Sequence, residues 1–138
     1  MSKRSTAEII EDYLSAGPYA VVGASTDRSK YGNKVLRAYL QNGKEVYPIN
    51  PGADEVEGEK AYPDLASLPV LPRGISVITP PAVTEKVVAQ ADQLGIRFVW
   101  MQPGAESPSA IQAALDAGIE LIADGPCALV VMGYHEST

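Results

Sequence analysis

The chemistry of metals and disulfides is nearly missing from this chain, which has one cysteine, Cys127, and one histidine, His135. A single cysteine closes no internal disulfide, and the pair cannot build a zinc site of the usual ligand count. Sparse cysteine suits a reducing compartment, so the expected location is cytoplasmic. Basic residues are also scarce, 11 against 17 acidic ones, giving a net charge of −6. With no basic stripe, a nucleic-acid partner is not expected. No apolar run approaches the ~20 residues needed to cross a bilayer, so no membrane partner is expected either. The first apolar stretch, residues 7 to 14, is interrupted by Glu8, Glu11 and Asp12 and does not have the form of a signal peptide. Repeats, low-complexity tracts and long linkers are absent too. What remains is 138 residues with 46% apolar and 20% charged content, which suits one domain over residues 1–138 that folds without a metal or disulfide.

Short apolar strands alternate with helical patterns. Ser5-Thr6-Ala7-Glu8 has capping-box spacing before an apolar stripe of Ile9, Ile10, Tyr13 and Leu14, and Gly17-Pro18 stops that helix. Strands are expected near 19–23, 45–49, 74–79, 97–101 and 120–123. Helices are expected over 33–42, 82–94 and 107–117, the last opened by Ser107-Pro108. The acidic stretch holding Asp54, Glu55, Glu57 and Glu59 reads as a solvated turn, and residues 62 to 68 as a short helical turn. This alternation predicts an α/β fold with a doubly wound, five-stranded parallel sheet and helices on both faces.

The most informative segment is the junction after the first strand. Val22-Gly23-Ala24-Ser25 leads into a loop of small, hydroxylated and basic residues, and a helix is expected near Gly32 and Asn33. Such a junction binds phosphate through bare backbone N–H groups and the positive end of the helix dipole. Arg28, Lys30, Lys34 and Arg37 stand there against one acid, Asp27, a local reversal of the chain's negative charge. The loop is not the Gly-x-Gly-x-x-Gly fingerprint of dinucleotide sites, because Ser25 and Arg28 occupy the later glycine positions. The acid that would hold an adenine ribose at the end of the second strand is replaced by Asn50, followed by Pro51. A Walker A loop is absent as well.

Four blocks carry a resemblance. Val22-Gly23-Ala24-Ser25, Tyr47-Pro48-Ile49-Asn50-Pro51, Gly58-Glu59-Lys60-Ala61-Tyr62-Pro63-Asp64-Leu65 and Val99-Trp100-Met101-Gln102-Pro103-Gly104 resemble the small CoA-binding proteins. Those are Rossmann-like domains similar to the N-terminal domain of the succinyl-CoA synthetase α subunit. The resemblance implies a strand order of 3-2-1-4-5, with coenzyme A, free or acylated, across the strand ends. By position Gly23, Ala24, Ser25, Lys30, Tyr31 and Gly32 would hold the pyrophosphate. Asn50 and Pro51 would border the adenosine, and Thr79, Pro80 and Pro81 would form a pantetheine or adenine wall. Pro51 offers a flat apolar surface without an acid to repel the 3′-phosphate, and Lys34 or Arg28 supplies the charge that phosphate wants. The chain departs from the family in the apolar run after Cys127 and in Pro103 after Gln102.

Other singled-out residues have plainer readings. Cys127 is expected to be buried and inert, with no base, cation or helix start beside it in sequence. His135 is expected in an exposed tail, Trp100 in the core, and Asp124-Gly125-Pro126 in a turn. Tyr31 is equally suited to a phosphate contact and to covering the core. No paired carboxylates or Ser-His-Asp order is visible. The leading expectation is therefore a CoA-binding carrier or regulatory module that is not an enzyme. The alternatives are an NAD(P)-binding oxidoreductase and a subunit of a larger acyl-CoA synthetase-type enzyme. A flavodoxin-like carrier lacks an aromatic pair to sandwich its flavin, and a receiver domain would want an acid where Thr79 stands. A homodimer or a partner protein stays open, because residues 127 to 134 are apolar enough for a subunit contact.

Overall fold

A computed structural model describes residues 4–136. Helix α1 (Thr6–Ser15) begins where the capping box places it: the Ser5 hydroxyl accepts from the Glu8 N–H at 3.1 Å, and the Glu8 carboxylate accepts from the Ser5 N–H at 2.8 Å. Strand β1 (Tyr19–Val22) leads to helix α2 (Tyr31–Gln41) and strand β2 (Val46–Ile49). A small hairpin, β3 (Glu55–Val56) and β4 (Glu59–Lys60), and a 3-10 turn (Leu65–Ser67) follow. Then come β5 (Gly74–Val77), α3 (Pro81–Leu94), β6 (Phe98–Met101), α4 (Pro108–Asp116), β7 (Glu120–Ile122) and the short α5 (Ala128–Val131).

Five strands form one parallel sheet, and side-chain alternation along them builds a core on each face. Tyr19, Val21, Phe98 and Trp100 point to one face and pack with Tyr13 of α1, Val35, Leu36 and Tyr39 of α2, and Ala128 of α5. Ala20, Val22, Ile75, Val77, Val99 and Met101 point to the other, against α3 and α4 through Val87, Val88, Ala91, Ala110 and Ala114. Cover on both faces explains why the central strands read as unbroken apolar runs.

The doubly wound, Rossmann-like parallel sheet is as expected, but the order 3-2-1-4-5 needs correction. The observed order is β2-β1-β5-β6-β7, so the strand beginning at residue 74 pairs with β1 and does not lie outside β2. The reason is Pro48. It lacks an N–H, and its carbonyl faces the outer edge, where it accepts from the Tyr62 N–H at 3.0 Å. A proline at that position is suited to an edge strand. Only a one-residue parallel bridge, Ile49 to Tyr62, holds the outer place, and Pro63 follows it at once.

The first core contains an aromatic cluster. The ring of Tyr13 lies 5.1 Å from Tyr19 and meets Trp100 edge-on at 5.3 Å. Gly74 makes room for it, since a Cβ there would stand 2.5 Å from Tyr13 Cε2. Buried hydroxyls run through this cluster, with Tyr13 to Tyr39 at 2.5 Å and Tyr39 to Ser76 at 2.7 Å.

Burial of Tyr39 pushes its hydroxyl above the ordinary tyrosine value of 10.0. A folded value above the unfolded one means that the related stability is complete below pH 10 and is lost as pH rises beyond it. Tyr39→Phe removes the hydroxyl paired with Tyr13 and should cost about 1–3 kcal/mol in denaturant titrations. Its loss of stability above pH 10 should be shallower than that of the wild type. Tyr47→Phe, at a solvent-facing hydroxyl bonded to Glu45, should change stability by less than ~0.5 kcal/mol.

Candidate ligand-binding site

β1 and β5 are neighbours in the sheet, and the chain leaves them in opposite directions, from β1 to β2 and from β5 to β6. The loops after β1 and β5 therefore part, leaving the kind of crevice in which open α/β sheets bind ligands. Two glycines let the backbone close up there. Gly23 has φ +99°, and a Cβ on it would lie 1.9 Å from the Ile78 carbonyl oxygen. A Cβ on Gly32 would lie 2.0 Å from the Gly23 carbonyl oxygen. The loop after β1 is thus held between the end of β5 and the first turn of α2.

Within the loop, the Ser25 hydroxyl accepts from the Asp27 N–H at 3.0 Å, and the Asp27 carboxylate accepts from the Ser29 N–H and hydroxyl at 2.9 and 2.7 Å. Those Ser29 hydrogen bonds hold the Asp27 carboxyl below its usual value. Lys30 is the extended N-cap of α2, and no side chain caps that end. The helix starts at Tyr31, two residues earlier than the sequence pattern suggests, so Tyr31 and Gly32 belong to its first turn.

The four cations play different parts. Arg37 is buried: its Nε donates to Asn33 Oδ1 at 2.7 Å and a terminal nitrogen donates to the Arg28 carbonyl at 2.9 Å. Asn33, also buried, donates to the Ser25 carbonyl at 2.9 Å and to Glu57 at 3.0 Å. Arg28 pairs with Glu57 at 3.2 Å and Lys34 with Glu136 at 3.1 Å. The local excess of positive charge is therefore smaller than the sequence suggests. Lys30 is exposed and has no ion pair among the described residues. The supposed solvated turn around Glu57 is a two-residue hairpin turn with φ +52° at Glu57 and +80° at Gly58. Val56 anchors it in the core, and its Asn33 hydrogen bond and Arg28 charge hold Glu57 below the usual carboxylate value.

Two cavities open along the strand ends. One, of about 450 Å³, has Gly23, Ala24 and Ser25 on one side and Asn50 and Pro51 at the end of β2. Leu65 of the 3-10 turn and Val83 and Val87 of α3 complete its walls. The other, of about 460 Å³, lies between Tyr31, Pro80, the loop Pro103-Gly104-Ala105 and Cys127. Thr79 lines both. The expected site residues thus separate into wall and support. Gly23, Ala24, Ser25, Asn50, Pro51, Thr79, Pro80 and Tyr31 line the cavities. Gly32 backs the loop, Pro81 begins α3, and Arg28, Lys30 and Lys34 lie outside both linings.

Four points at this site correct or add to the expectations. An acid does stand on the first cavity: Asp64, whose carboxylate accepts from the Ser67 N–H and hydroxyl at 2.9 and 2.8 Å. Cys127 is only half-buried, stands at the N-cap position of α5 without a side-chain cap bond, and lines the second cavity, with its Sγ 2.6 Å from the Tyr31 hydroxyl. The contribution of α3 and of Leu65 gave no local signal, because their apolar residues serve core and cavity alike. Gln102, wholly buried, was legible only as part of a strand-end loop. Its side chain accepts from the Ala128 N–H at 2.8 Å and the Tyr31 hydroxyl at 3.2 Å and donates to Ser76 at 3.3 Å.

Comparison with known proteins gives this geometry a context. The profile of the CoA binding domain matches residues 18–132. The α subunit of an ADP-forming acetate–CoA ligase II of Pyrococcus furiosus is 25% identical over 92% of this chain and 30% of its own length. An ADP-forming acetate–CoA ligase II of Archaeoglobus fulgidus is 32% identical over 64% of this chain and 13% of its own. The chain therefore spans less than a third of the length of these curated relatives. A solved structure of a conserved hypothetical protein from Pyrococcus furiosus superposes with a TM-score of 0.77 at 40% identity, covering 82% of this chain and 97% of that one. The ligase matches overturn the expectation of a protein with no enzymatic part.

The two crevice glycines differ from a third in what they can tolerate. Gly32→Ala should lower stability by about 1–3 kcal/mol, because backbone must move to admit the methyl group. Gly52→Ala, where a Cβ would meet Asn50 Oδ1 at an ordinary 3.5 Å, should change the melting temperature little.

Proposed function

The chain belongs to the CoA-binding domain family, and from that premise we propose that it binds coenzyme A, free or acylated, as the CoA-binding subunit or domain of an acyl-CoA ligase of the ADP-forming type. The observation that carries the reading is the glycine-held loop between β1 and α2, open on a crevice that continues into two cavities. In this reading residues 1–138 form one Rossmann-like unit. The backbone of Gly23, Ala24 and Ser25 and the first turn of α2 receive the pyrophosphate. The uncapped helix end supplies donors and partial positive charge. Asn50 and Pro51 face the adenosine. The Asn50 amide donates to the Ala24 carbonyl at 2.9 Å, which ties the end of β2 to the phosphate loop. Thr79 and Pro80 carry the pantetheine arm into the second cavity.

The division of charge follows from the ion pairs. Lys30 is the cation best placed to serve the phosphates, while Arg28 and Lys34 contribute through pairs they already make. Arg37 and Asn33 shape the loop. In this reading the remaining parts of the ligase, including the nucleotide-handling ones, come from further domains or partner chains, since the two ligase relatives are several times longer. A CoA-dependent ligase works where CoA and nucleotide are supplied, and under this reading the chain acts in the cytoplasm.

A thermal-shift panel tests the ligand. CoA at 100 times its dissociation constant adds about 2.7 kcal/mol, enough to raise the melting temperature by several degrees. NAD, NADP and FMN at equal concentration should shift it less, and a larger shift with NAD would defeat the reading. Lys30→Ala should weaken CoA binding by about 1–3 kcal/mol and leave the ligand-free melting temperature nearly unchanged. Arg28→Ala and Lys34→Ala should cost less affinity. Unchanged affinity in all three would remove the loop from the site.

A further inference from the structure

Hydrogen positions at the second cavity follow from one backbone group. The Ala128 N–H can only donate, so the side-chain atom of Gln102 that it meets at 2.8 Å is the carbonyl oxygen. That oxygen can only accept, so the Tyr31 hydroxyl, 3.2 Å away, donates to it. Tyr31 has a single hydroxyl hydrogen, and it is engaged there. The 2.6 Å contact between Tyr31 and Cys127 is therefore filled by the thiol hydrogen. Thr79 follows the same rule. Thr84 donates back to the Pro80 carbonyl at 3.3 Å, which leaves the Thr79 hydroxyl to donate to Thr84 at 2.7 Å. All three polar side chains that line the cavity thus turn lone pairs toward it. Across from them, the Gly104 N–H donates to the Glu106 carboxylate at 2.7 Å and the Ala105 N–H to the Gln102 backbone carbonyl at 2.9 Å. Burial, and after it the Cys127 contact, raises the Tyr31 hydroxyl above the ordinary tyrosine value, so it keeps its proton.

We propose that Gln102, acting through Tyr31, sets the second cavity to receive hydrogen-bond donors, so that it takes the free thiol end of CoA and disfavours the carbonyl of a thioester. The choice rests on the CoA reading above and falls between its free and acylated ligands. A thiol is a weak donor, but it meets two acceptors there, Tyr31 Oη and Cys127 Sγ. An acyl group replaces that hydrogen with a carbonyl, whose oxygen brings further lone pairs to a wall with no side-chain hydrogen to offer. A carbonyl that leaves water without finding a donor weakens binding. The N–H groups at the start of α2 and the exposed Lys30 serve the pyrophosphate in the same reading, and free and acylated CoA carry the same phosphates. Gln102 is a positioning residue. It is wholly buried and is held from its other side by Ser76 at 3.3 Å.

Calorimetric titration with CoA, acetyl-CoA and S-ethyl-CoA tests this directly. The last two differ only by a carbonyl oxygen in place of two hydrogens. Acetyl-CoA should bind about fivefold or more weakly than S-ethyl-CoA, and more weakly than CoA. Tyr31 is half-buried, so Tyr31→Phe should keep the fold, which its melting temperature checks. In that variant the Cys127 thiol loses its acceptor and turns to donate to the ligand, and the gap between S-ethyl-CoA and acetyl-CoA should narrow to about twofold or less. Cys127→Ala supplies no donor, because Tyr31 still gives its hydrogen to Gln102, and the gap should persist. Equal binding of acetyl-CoA and S-ethyl-CoA by the wild type, a gap that survives Tyr31→Phe, or one that closes in Cys127→Ala would overturn the assignment and leave the CoA site standing. Failure of all three ligands to bind would overturn both.

Discussion

The close approach of three backbone segments at the end of β1 is the constraint on which the site depends. Gly23 touches the carbonyl of Ile78, and Gly32 touches the carbonyl of Gly23, at distances that no side chain allows. Because the end of β1 stands against Ile78 in this way, Thr79, the next residue, lines the cavities on both sides of the contact. The same contact brings the uncapped start of α2 to the crevice. A site built from backbone donors needs little reorganisation when an anion arrives, and it leaves side chains free for shape.

Around that contact the protein uses charge chiefly as scaffolding. Arg37, Asn33, Glu57 and Arg28 form a connected set that ties α2, the β1–α2 loop and the β3–β4 hairpin together. Each buried polar group in it has a partner, as buried polar groups must if they are not to destabilise the fold. The hydroxyl chain from Tyr13 through Tyr39 and Ser76 to Gln102 and Tyr31 does similar service across the core, ending at the second cavity. The aromatic core and the cavity wall are therefore mechanically one structure. Substitutions deep in the first reach the second through Gln102, through Tyr31 and Ile78, which pack against the core, and through the Trp100 bond to the Pro126 carbonyl.

Much of this was legible in local pattern. Alternating apolar strands and capped helices reveal the sheet, the loop composition singles out the β1–α2 junction that lines the first cavity, and the four sequence blocks identify the family. Pro48 also announces an edge strand, although that meaning emerges only once Tyr62 is seen against it. What could not be read were contacts between residues distant in sequence. Glu57 meets Asn33 and Arg28, and Glu136 meets Lys34, so counting charges within one segment overstated the positive field. Cys127 and Tyr31 are 96 residues apart, and only the fold places them on one wall. The absence of an enzymatic part was inferred from missing catalytic residues within one chain. A ligase can distribute its chemistry over several domains, and a CoA-binding piece then carries little of the catalytic signature.

Amide chemical-shift mapping by NMR during titration with CoA tests the central claim most directly. The account predicts that the largest changes fall on Gly23, Ala24, Ser25, Tyr31 and Gly32, with Asn50, Thr79 and the loop 103–105 also responding. Amides of α1 and α4 should stay in place. Changes centred on α1 or α4, with the β1–α2 loop unmoved at saturating CoA, would contradict it.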